Sequence, residues 1–346
     1  MAKNEILSLF IFLSFHSVWS TIQPMHLPDY LLQGSVTWLT WVSSIVLLAV
    51  AAWPGTRHTH AFRPFEFASV SALIFALQMV HFSIGQGSSG HLIGGVLAAS
   101  LLGIRSGMIS MALVLLIQSL LFSDGGLAIL GANILNMAVL ATGCGGWLSR
   151  VIVRRLPANR NSWFLAPGLA SSISVLAIAF ACAVELAWGG AAPFLTLIGP
   201  MLLSQLPVAL FEGILTCTAV WFLTLSSDDP EKSPLPVAIS TRVITVMLTA
   251  LFAATLISPW SSSHPAIIQK LLAALSWWHL GNSAYFGILP DYNIPDIPGG
   301  VSTSLAGLLG VFTVFMAGWL LEQVFFQILR KRHVKRSPRM FAPHST

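Results

Sequence analysis

Nine apolar runs recur along the chain, at 36–53, 66–84, 92–103, 107–122, 132–148, 163–187, 199–224, 241–258 and 303–327. A helical crossing of a bilayer needs about 20 mainly apolar residues, and backbone polar groups inside the hydrocarbon must find partners within the protein. The runs therefore predict an all-α integral membrane protein, a bundle of about nine transmembrane helices arranged as seven plus two. Only 8% of the 346 residues are charged and 55% are apolar, whereas a soluble domain carries about 25% charged residues, so a soluble globular enzyme is excluded. Runs 92–103 and 107–122 are short and rich in Gly, Ala and Ser, the composition of helices packed closely inside a bundle. Cys144, Cys182 and Cys217 each lie in an apolar run without CxxC or CxxxC spacing, and read as packing residues.

The formal charge of +5 raises the question of an anionic partner, and the topology answers it. With Met25 outside, alternation places Arg57, Arg63, Arg105, Arg150, Arg154, Arg155, Arg160, Lys232, Arg242 and the basic tail from Arg330 to Arg339 on the cytoplasmic side, leaving Lys270 outside. The reverse orientation violates the positive-inside rule throughout. The basic residues thus read as topology anchors with lipid contact secondary, and no nucleic-acid partner is expected. The location expected is a bacterial inner membrane, with the C-terminal tail cytoplasmic. The outward segments are then the stretch around His26, the turn Gly85 to His91, the loop Ser123 to Gly131, residues 188–198 and the connection 259–302. The polar, proline-bearing stretch Ser226 to Pro234 marks a boundary. It divides the chain into a seven-span membrane unit at 25–225, a cytoplasmic linker at 226–240 and a two-span unit at 241–346. No internal or inverted repeat is visible of the kind many secondary transporters carry.

Residues 1–24 have three readings. Lys3, the apolar stretch Ile6 to Phe15 and small residues up to Ser20 resemble a signal peptide; the alternatives are a short uncleaved anchor, or an untranslated stretch upstream of a start at Met25. The candidate chemistry lies next to it. Met25-His26-Leu27-Pro28-Asp29 faces outward, as does Gly85-Gln86-Gly87-Ser88-Ser89-Gly90-His91, whose small residues allow close backbone approach and leave His91 at the outer end of a helix. A membrane imidazole is costly unless paired or liganded. A lone one is as often a satisfied structural residue, but His26, His91 and nearby His81 together point toward a transition-metal site.

Ser88-Ser89-Gly90-His91-Leu92-Ile93-Gly94-Gly95, Ser123-Asp124-Gly125-Gly126-Leu127 and Leu130-Gly131-Ala132-Asn133-Ile134-Leu135-Asn136-Met137-Ala138 strongly resemble the CbiM/NikM family, the substrate-capture subunits of cobalt and nickel energy-coupling-factor transporters. Met25 to Asp29 resembles the Met-His start of that family, and Phe211-Glu212-Gly213-Ile214-Leu215-Thr216 its later Glu-Gly helix. Leu289-Pro290-Asp291-Tyr292 and Leu305 to Gly310 are similar to the small PDGLE-type partner subunit, fused here in one chain. Its signature is degraded: Pro265-Ala266-Ile267-Ile268-Gln269 stands where both carboxylates would be.

The resemblance implies capture of Ni2+ or Co2+ at the outer face. It implies Met25, His26 and His91 as metal ligands, with an ATP-binding cassette ATPase and a transmembrane coupling subunit as partners and no tightly bound cofactor. The chemistry is coherent: an α-amine, a deprotonated amide and two imidazoles form a square-planar nitrogen set that suits Ni2+ or Cu2+ and admits Co2+, while Ca2+ and Mg2+ prefer oxygen. The amine must be free, so the working protein is expected to begin at Met25. His81 is a candidate for orienting a ligand by hydrogen bond or for packing. Ser88, Ser89, Asp124, Asn133 and Asn136 are candidates for closing over the ion, supporting His91, or serving turn chemistry alone. Glu185 and Glu212 are carboxylates in apolar spans, expected to bond helix to helix, and His264 and His279 to be solvated.

Two rivals remain at this level. Gly87-Ser88-Ser89-Gly90 followed by His91 has the ingredients of an intramembrane serine hydrolase, but the base should come from another helix, and His81 and His91 flank the same turn. A proton-coupled secondary metal transporter is the stronger one. No Gly-x-x-x-x-Gly-Lys-Ser/Thr loop occurs in the sequence, so the energy is expected to come from partner ATPases or an ion gradient. The chain itself is expected not to be an enzyme.

Overall fold

The computed structural model describes Leu32 and residues 34–53, 64–85, 88–157, 159–190, 193–225, 239–260 and 287–336. Met25, His26, His264, His279 and most of the 226–240 linker lie outside the described residues. Where described, the chain is helical except for one hairpin and a few connecting turns. In order, the elements are α1 (Ser35–Ala52), α2 (Pro64–Gln78), β1 (His81–Gly85), β2 (Ser88–His91), α3 (Gly95–Leu102) and α4 (Ile104–Phe122). One continuous helix follows: α5 (Leu130–Asn133), a π-helical segment (Ile134–Cys144) and α6 (Gly145–Arg155). Then come α7 (Arg160–Trp188), α8 (Phe194–Leu225), α9 (Ile239–Phe252, wound on to Trp260) and α10 (Gly299–Arg336).

Nine helical runs thus stand among the described residues at the nine places the sequence predicts. Six are long and apolar enough to cross a membrane, and α2 is a shorter apolar helix. Outward faces carry the apolar surface that a soluble protein hides: Trp38 (74% exposed) and Trp53 (70%) near the two ends of α1, Leu203 and Leu210 on α8, Phe312 on α10. Tryptophans at both ends of a span suit the two membrane interfaces. Polar residues point inward instead, with Gln78, Gln118, Asp124, Glu185 and Glu212 all buried.

Two boundaries differ from the sequence expectation. The run 66–84 is helical only to Gln78, and 81–85 form a strand. The run 92–103 is helical only from Gly95, because Gly94 takes a left-handed φ of 71°, a conformation that glycine adopts at little cost. An eight-residue helix is about 12 Å long, too short to cross a bilayer by itself. The π-helical segment has a local cause: the Thr142 hydroxyl donates to the Met137 carbonyl five residues back (2.9 Å), which suits the wider turn.

The two-helix unit shares the core of the seven-helix unit. Phe67, Phe75, Met79 and Phe122 belong to the same buried cluster as Val246, Ala254, Tyr292, Val311 and Val314. Small residues on α10 make this close: Gly310 faces Phe75, and Gly318 faces Phe67 and Ala68.

Candidate metal centre

The hairpin pairs His81 directly with His91 in antiparallel register. Cross-strand partners put their side chains on one face, and the two rings stand 6.4 Å apart, edge to face. The sequence expectation put His91 at a helix end and His81 inside a helix. Both instead stand on strands, because the helices stop at Gln78 and begin again at Gly95.

His91 Nδ1 lies 2.9 Å from the Leu92 carbonyl oxygen. A carbonyl only accepts, so Nδ1 carries the proton and the imidazole lone pair sits on Nε2. In the neutral ring that is the tautomer required for ligation through Nε2, fixed by a hydrogen bond from the other nitrogen.

The backbone after His91 is unwound, and its polar groups are met by buried side chains. Glu212 of α8, 1% exposed, accepts from the amides of Ile93 (2.8 Å) and Gly94 (2.7 Å). The Ser171 hydroxyl of α7 also reaches Glu212 (3.4 Å) and accepts from Thr216 (3.1 Å). Gln78 Nε2 donates to the Ile93 carbonyl (2.8 Å). Irregular backbone at membrane depth is tolerated only when satisfied in this way. Glu212 does bond across helices through Ser171, as expected, but its main partners are backbone amides. The available signal was a carboxylate in an apolar run; no spacing pointed to its partners.

The remaining candidates separate. Asn136 Nδ2 donates to Glu185 (2.8 Å), and Asn133 Nδ2 and Asn136 Oδ1 are buried without a hydrogen-bond partner. Asp124 accepts from the Tyr292 hydroxyl (2.7 Å), which accepts in turn from Gln118 Nε2 (3.2 Å). Ser88 and Ser89 are strand residues whose backbones pair with Gly85 and Ser83. Among the described residues no group of three or more His, Cys, Asp or Glu is disposed to hold a metal ion.

The loop 123–131 is clamped on two sides. Trp41 Nε1 donates to the Ala128 carbonyl (2.7 Å) and the Ser44 hydroxyl to that of Gly131 (2.6 Å). From the two-helix unit, the Leu289 amide donates to Leu121 (2.8 Å), Gly287 to the Ser123 hydroxyl, and Tyr292 stacks on Phe122 (4.6 Å, 18°). Burial raises the Asp291 carboxyl to about 6, with the Asp124 charge adding to it, and pushes the Tyr292 phenol well up.

A helical bundle with apolar faces outward, polar groups inward and a histidine pair on a satisfied break in the helices defines a multi-pass membrane protein with an internal polar site. Residues 26–230 match the family described as CbiM, cobalt uptake substrate-specific transmembrane region. The chain belongs to that family. It is 32% identical over 314 residues, 86% of this chain and 98% of the other, to a putative fused nickel transport protein NikMN of Archaeoglobus fulgidus. It is 29% identical over 242 residues, 67% of this chain and 91% of the other, to the cobalt transport protein CbiM of a Nostoc species. Among solved structures, a transition metal transporter is similar at 28% identity and a TM-score of 0.51, covering 59% of this chain and 95% of that one.

Proposed function

We propose that the chain captures Ni2+ or Co2+ at the outer membrane face and delivers it inward as the substrate-specific subunit of an ATP-driven uptake transporter. The observation that carries the reading is His91: its Nδ1 bond to Leu92 leaves Nε2 as the donor nitrogen, in a chain of the CbiM family. The other ligands are Met25, through its α-amine, and His26, through its deprotonated backbone amide nitrogen and its imidazole. His81, opposite His91, orients the site. Residues 25–225 form the capture unit, 226–240 the linker, and 241–346 a PDGLE-like unit that holds the 123–131 loop.

Nickel is the favoured cargo. A square-planar nitrogen set suits it, and the Archaeoglobus relative, similar over nearly the whole chain, is named as a fused nickel transport protein. The membrane is the bacterial inner membrane, with the basic tail in the cytoplasm. Its partners are an ATP-binding cassette ATPase and a transmembrane coupling subunit, which supply the energy and release the ion inward.

Radiolabelled nickel uptake in cells expressing the chain with its partner subunits tests this. Uptake is expected to vanish when the partner ATPase is inactivated. Uptake that survives ATPase inactivation, and is abolished by a protonophore while ATP is maintained, contradicts the coupling and makes the chain a gradient-driven transporter.

A further inference from the structure

Phe211 and Glu212 are consecutive residues of α8, and together they grip both strands of the hairpin. The Phe211 ring lies 4.5 Å from that of Phe82 on β1, tilted by 44°. Glu212 takes the amides of Ile93 and Gly94 just after β2. From the other side of the same backbone Gln78 holds the Ile93 carbonyl, with Met111 Sδ 3.3 Å from its amide nitrogen. His91 is two residues from the first pinned amide, and its own Nδ1 bonds to Leu92, between them. The ring is thus oriented by backbone that Glu212 and Gln78 fix. Hydrogen bonds to a charged acceptor are stronger than neutral ones, and in a low-dielectric interior they hold geometry tightly.

We propose that Glu212 is a positioning residue for the metal site, acting through the 92–94 backbone to hold His91 in its ligating geometry. It does not touch the ion. A displacement of α8 is carried through Glu212 to His91, so the helix that anchors the carboxylate also sets how firmly the ion is held. The proposal rests on the reading of His91 as a ligand. A carboxylate that served packing alone would affect stability and leave the bound ion's spectrum unchanged.

The test uses the purified full-length chain in detergent, nickel chloride as probe, and two readouts: equilibrium affinity and the d–d absorption band of the bound nickel. His91→Ala is the control, and wild-type affinity in it overturns the ligand reading and this proposal with it. Glu212→Gln keeps the shape but replaces one of the two accepting oxygens with a donor amide; it is expected to weaken nickel by about 10- to 100-fold, the usual range for partners behind a ligand, and to shift the band. Wild-type affinity and band in Glu212→Gln, with binding lost in His91→Ala, overturns the positioning role and leaves the ligand reading intact. If Glu212→Gln does not fold, Gln78→Met releases the other side of the same backbone. A weakened affinity and shifted band there support the proposal, and a wild-type pair of readouts overturns it.

Discussion

Two non-helical stretches separate the helices, residues 81–85 with 88–94 in the seven-helix unit and 287–298 in the two-helix unit, and each is met by a buried carboxylate. Glu212 is 1% exposed and Asp124 2%. Glu212 accepts from backbone amides within its own unit, so it fixes the path of the chain beside His91. Asp124 accepts from a side chain, the Tyr292 hydroxyl, that belongs to the other unit. The first arrangement fixes the backbone beside His91; the second, with the Tyr292–Phe122 stack and the Leu289 and Gly287 amide bonds, adds polar contacts to the apolar core that the two units share. The backbone beside His91 is thus held by a carboxylate, and the 287–298 segment meets the 123–131 loop through the Tyr292 side chain.

The comparison breaks most visibly at the hairpin. His91→Ala should reduce nickel affinity by more than about 100-fold, beyond the loss typical of a supporting residue, with the thermal unfolding midpoint near wild type; isothermal titration measures the first and circular dichroism the second. Gly94→Val should destabilise the bundle by about 1–3 kcal/mol for its left-handed backbone alone, and more because a Cβ there sits 2.9 Å from Ile74 Cδ1; thermal unfolding in detergent reads it. Tyr292→Phe should cost about 1–3 kcal/mol of docking, the penalty for leaving a buried acceptor short of its donor. It should raise hydrogen exchange at 287–298 while nickel affinity stays at the wild-type value. An affinity that fell with Tyr292→Phe as far as with His91→Ala would erase the distinction between the two segments.

The smallest expected effect is a pH dependence at Asp291. Its carboxyl is raised by burial and by Asp124 from 3.8 to about 6, so the folded form holds the proton more tightly than the unfolded one. The sign follows from linkage: the stabilisation is fully present below about pH 4 and is lost as pH rises through about 6. Because other carboxylates titrate in the same range, the measurement is the difference in thermal midpoint between wild type and Asp291→Asn across that window. The variant's advantage should grow as pH rises.

The nine helical runs among the described residues, and their places, were legible in the sequence because hydrocarbon length sets the length of an apolar run. The hairpin was not. Residues 81–84, His-Phe-Ser-Ile, continue an apolar run, and nothing in composition says that the helix stops at Gln78; the next helix begins only after the left-handed turn at Gly94, and the buried acceptor Glu212 and donor Gln78 make the unwound backbone before it tolerable. His91 was visible as a polar residue in a Gly-Ser turn, but its tautomer depends on Leu92 O and needed coordinates. Asp124 looked like a loop residue serving the ion, and its partner Tyr292 lies 168 positions away, beyond any local pattern. Asn136 found Glu185 for the same reason, a pairing across 49 positions.

The claim on which the rest depends is that the ion sits on Nε2 of His91. Anomalous diffraction from crystals of the nickel-loaded chain, with the mature N-terminus established by intact mass, locates the ion directly. The account predicts a nickel peak at bonding distance from His91 Nε2, with Nδ1 still turned to the Leu92 carbonyl. A nickel bound at Nδ1, or at a site that does not include His91, contradicts it.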